Sequence, residues 1–203
     1  MSKFRWFTVV CSVLVLSACT SLPVSQTYLG SDQLGSTTVA PATWQVFDSA
    51  AVRGDVEGAP PLFLQGFGMP GVDPTAPMSG NQPGGVMTVT LHPGIEGARS
   101  AAPNAFIVDL ARAVEEGTAQ ILNESTSTEG VWERQQWLVE VQLTPGTVTR
   151  VVQTVMISLQ PVGADKDGTE LHAVKALVIG CDPDCFDANQ ATINAVESQW
   201  RVR

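Results

Sequence analysis

The chain has 203 residues, a length that suits one domain with a sizeable hydrophobic core and is cramped for two. It carries 20 acidic and 11 basic residues, a formal net charge of −9, and no basic cluster on which nucleic-acid phosphates could bind. We therefore expect no nucleic-acid partner, and the protein surface itself should be repelled by anionic lipid headgroups.

The N-terminus has the pattern of a secretory signal. Lys3 and Arg5 precede a largely apolar stretch, residues 6 to 18, which is too short to span a bilayer as a helix. The stretch ends in LSAC at 16–19, which resembles the bacterial lipoprotein signal, in which the cysteine is lipidated and becomes the first residue of the mature chain. The alternative is an ordinary signal peptide that is cut nearby and leaves a stray thiol.

We accordingly predict that residues 1–18 are a lipoprotein signal peptide and that Cys19 is the lipidation site. The protein is then held through its lipid on the outer face of the cell membrane or on the outer membrane. Residues 19–41 are rich in Ser, Thr, Gly and Gln and show no sustained apolar period, so we predict a lipidated N-terminus followed by a flexible linker. The folded domain is predicted over residues 42–203.

The first predicted elements of this domain are three strands and a helix. Short apolar runs at 44–48 and 61–65 and the alternation at 86–91 indicate strands. A helix is predicted over 100–116, with Ser100 as its cap and Pro103 in its first turn. The apolar stripe of this helix consists of Phe106, Leu110, Ala113 and Val114, and Gly117 ends the helix.

Three longer strands and a last helix follow. The strands are predicted at 131–143, 148–159 and 171–179, with turns at Pro145-Gly146 and at 164–170. The stripe of the C-terminal helix consists of Phe186, Ile193, Val196 and Trp200. This order predicts an α+β fold with a largely antiparallel sheet in a layered sandwich.

Several of these segments resemble a known family. They are PATW at 41–44, QPGGVMTV at 82–89, the helix at 100–116, GVWER at 130–134 and a Cys/Asp turn that leads into a helix ending ESQW at 197–200. In this order they look like the LpqN-like bacterial lipoproteins of the PsbP-like superfamily. The resemblance implies a three-layer α/β/α sandwich and a non-catalytic accessory or partner-binding module, and it carries over no catalytic residues. Such domains usually have a strand before the Pro-x-x-Trp segment, where this chain offers only STTVA.

A proline-rich segment after the second strand is the candidate partner loop. GFGMPG at 66–71 matches a dinucleotide-binding pattern, but Pro70 in that stretch and Pro74, Pro77 and Pro83 after it are incompatible with the helix that would hold a pyrophosphate. Long loops often carry function, and Phe67, Met69 and Met78 could form a soft apolar contact surface here. The alternative is that these three side chains pack on the core.

The segment CDPDC at 181–185 predicts a disulfide between Cys181 and Cys185, because two close cysteines in an exported protein normally pair. A zinc site would need two more ligands. Two groups of residues with side-chain oxygens could be proposed as calcium ligands, but helix capping and a solvated turn explain them better; they are Asp182, Asp184, Asp187 and Asn189, and Asp165, Asp167 and Glu170. We expect no metal and no cofactor.

Catalytic motifs are not evident. His92 and His172, the two histidines of the chain, lie in predicted strands without a hydrolase signature around them. The sequence therefore favours a non-enzymatic envelope lipoprotein whose domain binds a partner protein or a small envelope ligand. The alternative is an envelope hydrolase with a dispersed active site.

Overall fold

The computed structural model describes residues 26–47, 63–105, 109–144 and 146–203. In chain order its strands are β1 (Gln26–Ser31), β2 (Ser36–Pro41), β3 (Gln45–Phe47), β4 (Phe63–Gly68), β5 (Gly84–Pro93), β6 (Ala119–Glu129), β7 (Trp132–Thr144), β8 (Thr147–Ser158), β9 (Gly163–Ala164), β10 (Glu170–Cys181) and β11 (Arg201–Val202). The α-helices are α1 (Gly94–Ala101), α2 (Leu110–Glu115) and α3 (Pro183–Ser198), and a 3₁₀ turn spans Ala102–Asn104.

The strands form two sheets. The main sheet has the order β3-β4-β5-β10-β8-β7-β6, with β9 paired to β10, and the small sheet has the order β1-β2-β11. Every strand pair in the described ranges is antiparallel. Helix α1 and the 3₁₀ turn cover one face of the main sheet, and α3 with the small sheet covers the other. The predicted α+β class, with a largely antiparallel sheet between two covering layers, is confirmed.

The centre of the main sheet is buried on both faces. Every residue of β10 from His172 to Cys181 is buried. In β8, every residue from Val151 to Met156 is buried as well. The nearly continuous apolar run VKALVI at 174–179 fits a strand that is covered on both sides. Different aromatic side chains pack on the two faces of the main sheet. On the face covered by the small sheet, Trp44 stacks on Phe67 with ring centroids 5.8 Å apart, whereas Trp137 packs on the opposite face.

The predicted linker is wrong over residues 26–41. These residues form the β1–β2 hairpin, which pairs through β2 with β11 near the C-terminus. Leu29 and Leu34 are buried in the core beneath it. Strand β2 turns Ser36, Thr38 and Ala40 inward, and small residues of this kind give no clear apolar period in the sequence. STTVA at 36–40 thus forms a strand before the Pro-x-x-Trp segment.

The single helix predicted over 100–116 is also wrong. Helix α1 already begins at Gly94, so Ser100 lies in its last turn and caps nothing. Pro103 falls in the 3₁₀ turn, where its missing N–H and its restriction on the preceding residue end the α-helix. Helix α2 starts separately after Asp109, whose carboxylate accepts a hydrogen bond from the Arg112 N–H. In the predicted stripe, Leu110 and Ala113 are buried, Val114 is exposed, and Phe106 lies outside the described residues.

The C-terminal helix is confirmed with one adjustment. Helix α3 buries Phe186, Ile193 and Val196, and Trp200 is buried as well. Trp200 lies two residues beyond the helix end, where the chain turns into β11. The tryptophan therefore closes the core at the junction of α3 and the small sheet.

Candidate functional site

The candidate partner loop does not present the apolar surface predicted for it. Phe67 is fully buried, Met78 is 5% exposed, and Met69 packs partly buried against the core. The alternative, that these side chains pack on the core, is what the structure shows, because β4 turns Phe67 inward onto Trp44. The loop is also fastened at its far end, where the Asp182 carboxylate accepts a hydrogen bond from the Gly80 N–H at 3.1 Å.

Cys181 and Cys185 form a disulfide, with their Cα atoms 5.9 Å apart. The bridge lies at the junction of β10 and α3, next to the buried Phe186. Asp187 forms an ion pair with Arg150 of β8, and the Arg150 guanidinium also lies over the Phe186 ring at 5.9 Å from its centroid. These contacts fasten the start of α3 to the main sheet.

The acidic residues considered as calcium ligands have other roles. Asp182 occupies the N-cap position of α3, but its carboxylate makes no capping hydrogen bond and accepts from the Gly80 N–H instead. Asp184 lies in the first turn of α3, where a negative charge is favoured. Asp165 accepts hydrogen bonds from the N–H groups of Asp167 and Thr169 and so shapes the turn before β10. No group of three or more His, Cys, Asp or Glu side chains in the described ranges is arranged to hold a metal ion.

The two histidines face each other across β5 and β10, yet each has a local partner. The His172 ring is buried, and its Nδ1–H donates to the Ser158 carbonyl at 2.7 Å. His92 Nε2 lies 2.9 Å from the Thr90 hydroxyl, and burial lowers the pKa of His92. The partner of His172 is a carbonyl and not a nucleophile, and the Thr90–His92 pair has no third group that orients the imidazole among the hydrogen bonds of the described residues, so neither histidine belongs to a triad.

Strand β6 is the most exposed secondary-structure element of the main sheet. It forms an edge of that sheet, with β7 on one side, and all residues from Gln120 to Glu129 are exposed. The register with β7 shifts between Ile121 and Asn123, and from Asn123 to Glu129 it is continuous. We call the outward side of residues 123–129 the β6 edge. The opposite edge strand, β3, has only three residues.

The turn after β6 fixes how its main chain is oriented. Glu129 pairs with Trp132, so the turn contains only Gly130 and Val131. Gly130 has φ +64°, whereas no described non-glycine residue has a positive φ. This combination fits a type II′ turn, in which glycine takes the first central position. The pair that closes such a turn is hydrogen-bonded, and bonded and non-bonded pairs then alternate along the ladder.

The main chain of β7 supports the same alternation. The Leu159 N–H donates to the Val131 carbonyl, so odd-numbered β7 residues direct their main-chain groups toward β8. The β6 residues opposite them are Glu124, Thr126 and Thr128. Their N–H and C=O groups consequently point away from β7 and line the β6 edge without a strand partner among the described residues.

The β6 edge is also acidic. Between Arg112 and Arg134 the sequence contains five glutamates and no lysine or arginine. Two of these glutamates are engaged on the sheet: Glu133 accepts two hydrogen bonds from Arg99, at 2.8 and 3.0 Å, and Glu129 pairs with Arg134 at 3.1 Å. Burial by itself would raise the pKa of Glu133, but the hydrogen bonds from Arg99 and Gln135 outweigh it and lower that pKa. Glu124 is exposed and has no ion pair within the described part of the chain.

Sequence reasoning missed β6 because the strand buries almost nothing. Residues 119–129 read AQILNESTSTE, which has no apolar alternation, and alternation is the usual signal of a half-buried strand. Two other signals were present. Ser-Thr-Ser-Thr is rich in a β-branched residue, and Gly130 stands where a two-residue hairpin turn requires a positive φ.

No protein-family model matches the chain, and no curated protein sequence matches it significantly. Among solved structures, it is similar to the cyanobacterial PsbP protein (CyanoP) from Synechocystis sp. PCC 6803, with 14% sequence identity and a TM-score of 0.46. That comparison covers 93% of this chain and 99% of that chain. It is also similar to LpqN of Mycobacterium tuberculosis, described as involved in cell envelope biogenesis, with 14% identity and a TM-score of 0.48, over 88% of this chain and 90% of that chain.

LpqN and a PsbP protein, which represent the family named by the sequence resemblance, are thus among the solved structures to which the chain is similar. At 14% identity, no activity, ligand or partner follows from it. No helix in the described ranges has the length and apolarity needed to cross a membrane.

Proposed function

We propose that this protein is a lipid-anchored, non-catalytic component of the bacterial cell envelope, and that its domain binds another envelope protein. The observation that supports partner binding best is the β6 edge, where three consecutive outward-facing residues present free main-chain donors and acceptors. A small envelope ligand is a weaker candidate, because the open cavity near the start of β6 is shallow and polar residues such as Glu140 line it.

Attachment is proposed through Cys19. The LSAC ending supports this site, and a lipidated cysteine with two or three acyl chains would hold the chain stably at a membrane. The expected result is incorporation of labelled palmitate into the wild-type protein in growing cells and its loss in Cys19→Ala. Unchanged labelling of Cys19→Ala would contradict the anchor.

Partner binding is tested by photo-crosslinking in living cells with the anchored full-length protein. A photoreactive amino acid replaces Ser127, whose side chain projects from the sheet next to the β6 edge. The matched control places it at Lys166, which is equally exposed but lies in the turn before β10. We expect a discrete crosslinked species from position 127 and none from position 166. Equal products from both positions, or none from either, would contradict the proposal.

A further inference from the structure

We infer that the partner contributes an extended, cationic segment that adds to the main sheet as a further strand, antiparallel to β6. This inference rests on the function proposed above and specifies the chemistry of its partner. An added strand would bond to the main-chain groups of Glu124, Thr126 and Thr128, the residues that turn outward. Antiparallel pairing continues the geometry of every other pair in the described sheet.

The β6 edge lacks most of the features by which edge strands normally avoid pairing. Proteins protect such edges with short strands, prolines, bulges or charged side chains, above all lysines, and of these the β6 edge has only the carboxylates of Glu124 and Glu129. Strand β6 has 11 residues with no proline or lysine, and its one irregularity lies before Asn123, outside the seven residues of the β6 edge. The small side chains of Ser125, Thr126, Ser127 and Thr128 leave the main chain sterically accessible.

The negative charge of Glu124 determines which kind of partner strand fits the β6 edge. Glu124 lies on an outward-facing main-chain position, so an added strand would place one residue directly opposite it. With no basic residue between Arg112 and Arg134, an incoming lysine or arginine at that position meets an uncompensated carboxylate. Thr126 and Thr128 would face the next two alternate residues of the added strand, where threonine or valine pairs well.

A second copy of this chain is a poorer occupant. Pairing β6 with β6 would bring two acidic edges together, each on a chain with a net charge of −9. Centred on Glu124, such a pair would oppose two glutamates directly, which destabilises a sheet. The charge pattern therefore favours a different, basic chain.

The test uses the full-length protein in detergent and a nine-residue, end-blocked peptide that contains Thr-Ser-Thr-Ser-Lys, so that its lysine can oppose Glu124 while its two threonines oppose Thr126 and Thr128. Two control peptides replace lysine with glutamate or carry N-methyl groups on alternate residues, which removes the donors on one side of the strand. Hydrogen exchange resolved to single amides is the measurement. We expect the lysine peptide to slow exchange at residues 124, 126 and 128 by about tenfold or more at saturation, and to leave residues 123, 125 and 127 unchanged.

Variants locate the contact. Thr126→Pro removes an outward N–H, and proline is tolerated where an edge strand faces solvent, so this variant should keep the wild-type melting temperature and lose peptide binding. Thr126→Val keeps the N–H and should bind like the wild type. Glu124→Gln should weaken binding about two- to fivefold, as for an exposed charge pair, whereas Glu170→Gln, an exposed position at the start of the central strand β10, should not.

Three results would overturn the inference: equal binding of the glutamate peptide, protection without the alternate pattern, or full binding by Thr126→Pro. If Thr126→Pro unfolds, loss of binding by the N-methylated peptide provides the same evidence. Protection of the β6 edge that rises with protein concentration in the absence of peptide would identify a second copy as the occupant and overturn it as well. If position 127 crosslinks in cells but the lysine peptide does not bind, the partner's chemistry is wrong and the proposed function stands; if neither occurs, the function itself fails.

Discussion

Lys175 is a buried lysine in the centre of the main sheet, and no Asp or Glu side chain of the described residues pairs with it. Its Nζ donates to the main-chain oxygens of Gly35 at 2.8 Å and Arg203 at 2.9 Å, and it lies 5.2 Å from the centroid of the Trp132 ring. Burial lowers the pKa of Lys175, because removing the ammonium group from water disfavours its charged form. The lysine thus ties the β1–β2 turn and the C-terminal residues to β10.

We expect Lys175→Ala to lower the free energy of unfolding by about 2–4 kcal/mol, because it removes hydrogen bonds from a charged donor and leaves a cavity. Lys175→Met should cost less, since it keeps the packing of the stem and the Gly35 carbonyl still accepts the Arg203 N–H at 2.9 Å. Urea unfolding of both variants provides the measurement. Equal losses would mean that the ammonium group, and not the packing of its stem, supplies the stabilisation.

His92 predicts a specific pH dependence of stability. Burial lowers the pKa of His92 below its ordinary value of 6.5, so the folded protein binds this proton less readily than the unfolded chain. Stability is therefore complete above about pH 6.5 and falls as the pH drops from there toward the lowered pKa. Between pH 7 and pH 5, His92→Gln should lose less unfolding free energy than the wild type, measured by urea unfolding at both values. Parallel losses in the two proteins would contradict the assignment to His92.

At the scale of one element, α3 is held by its apolar side and by the disulfide, and these two contributions can be ranked. Trp200 is 6% exposed, and truncating a buried tryptophan typically costs about 3–5 kcal/mol. The bridge from Cys181 to Cys185 spans only four residues in sequence, and on the chain-entropy estimate so short a loop contributes about 2 kcal/mol. We therefore expect Trp200→Ala to destabilise more than Cys181→Ser combined with Cys185→Ser in chemical denaturation. A larger loss in the cysteine pair would mean that the bridge holds the end of the chain.

At the scale of the whole molecule, the β1–β2 hairpin makes the N-terminal segment part of the folded unit. Leu29 and Leu34 are buried in the core, and the Thr38 hydroxyl donates to the Val196 carbonyl of α3. Burying each leucine typically stabilises by about 2–5 kcal/mol, against a total stability of about 5–15 kcal/mol for a domain. A chain that starts at residue 42 should therefore melt far below one that starts at residue 26, or not fold. Equal melting temperatures would restore the linker interpretation for this segment.

The sequence by itself determined the elements that bury an alternating or helical set of large apolar side chains. This pattern predicted strands β5, β7, β8 and β10 and helix α3. The order of strands and turns predicted the antiparallel sheet, and the close spacing of Cys181 and Cys185 predicted the disulfide. From the acidic composition we expect no nucleic-acid partner, and this stays a prediction.

Only the tertiary structure decided the rest, because the missing elements have no apolar period. Strand β2 turns small polar residues inward, and β6 exposes both of its faces, so neither differs from a loop in its pattern. The direction in which Phe67 and Met78 point was equally undetermined, since an apolar residue in a loop can cover the core or face a partner. Which edge of the sheet remains unpaired depends on contacts between residues far apart in sequence, and that is why the β6 edge became visible only in the folded chain.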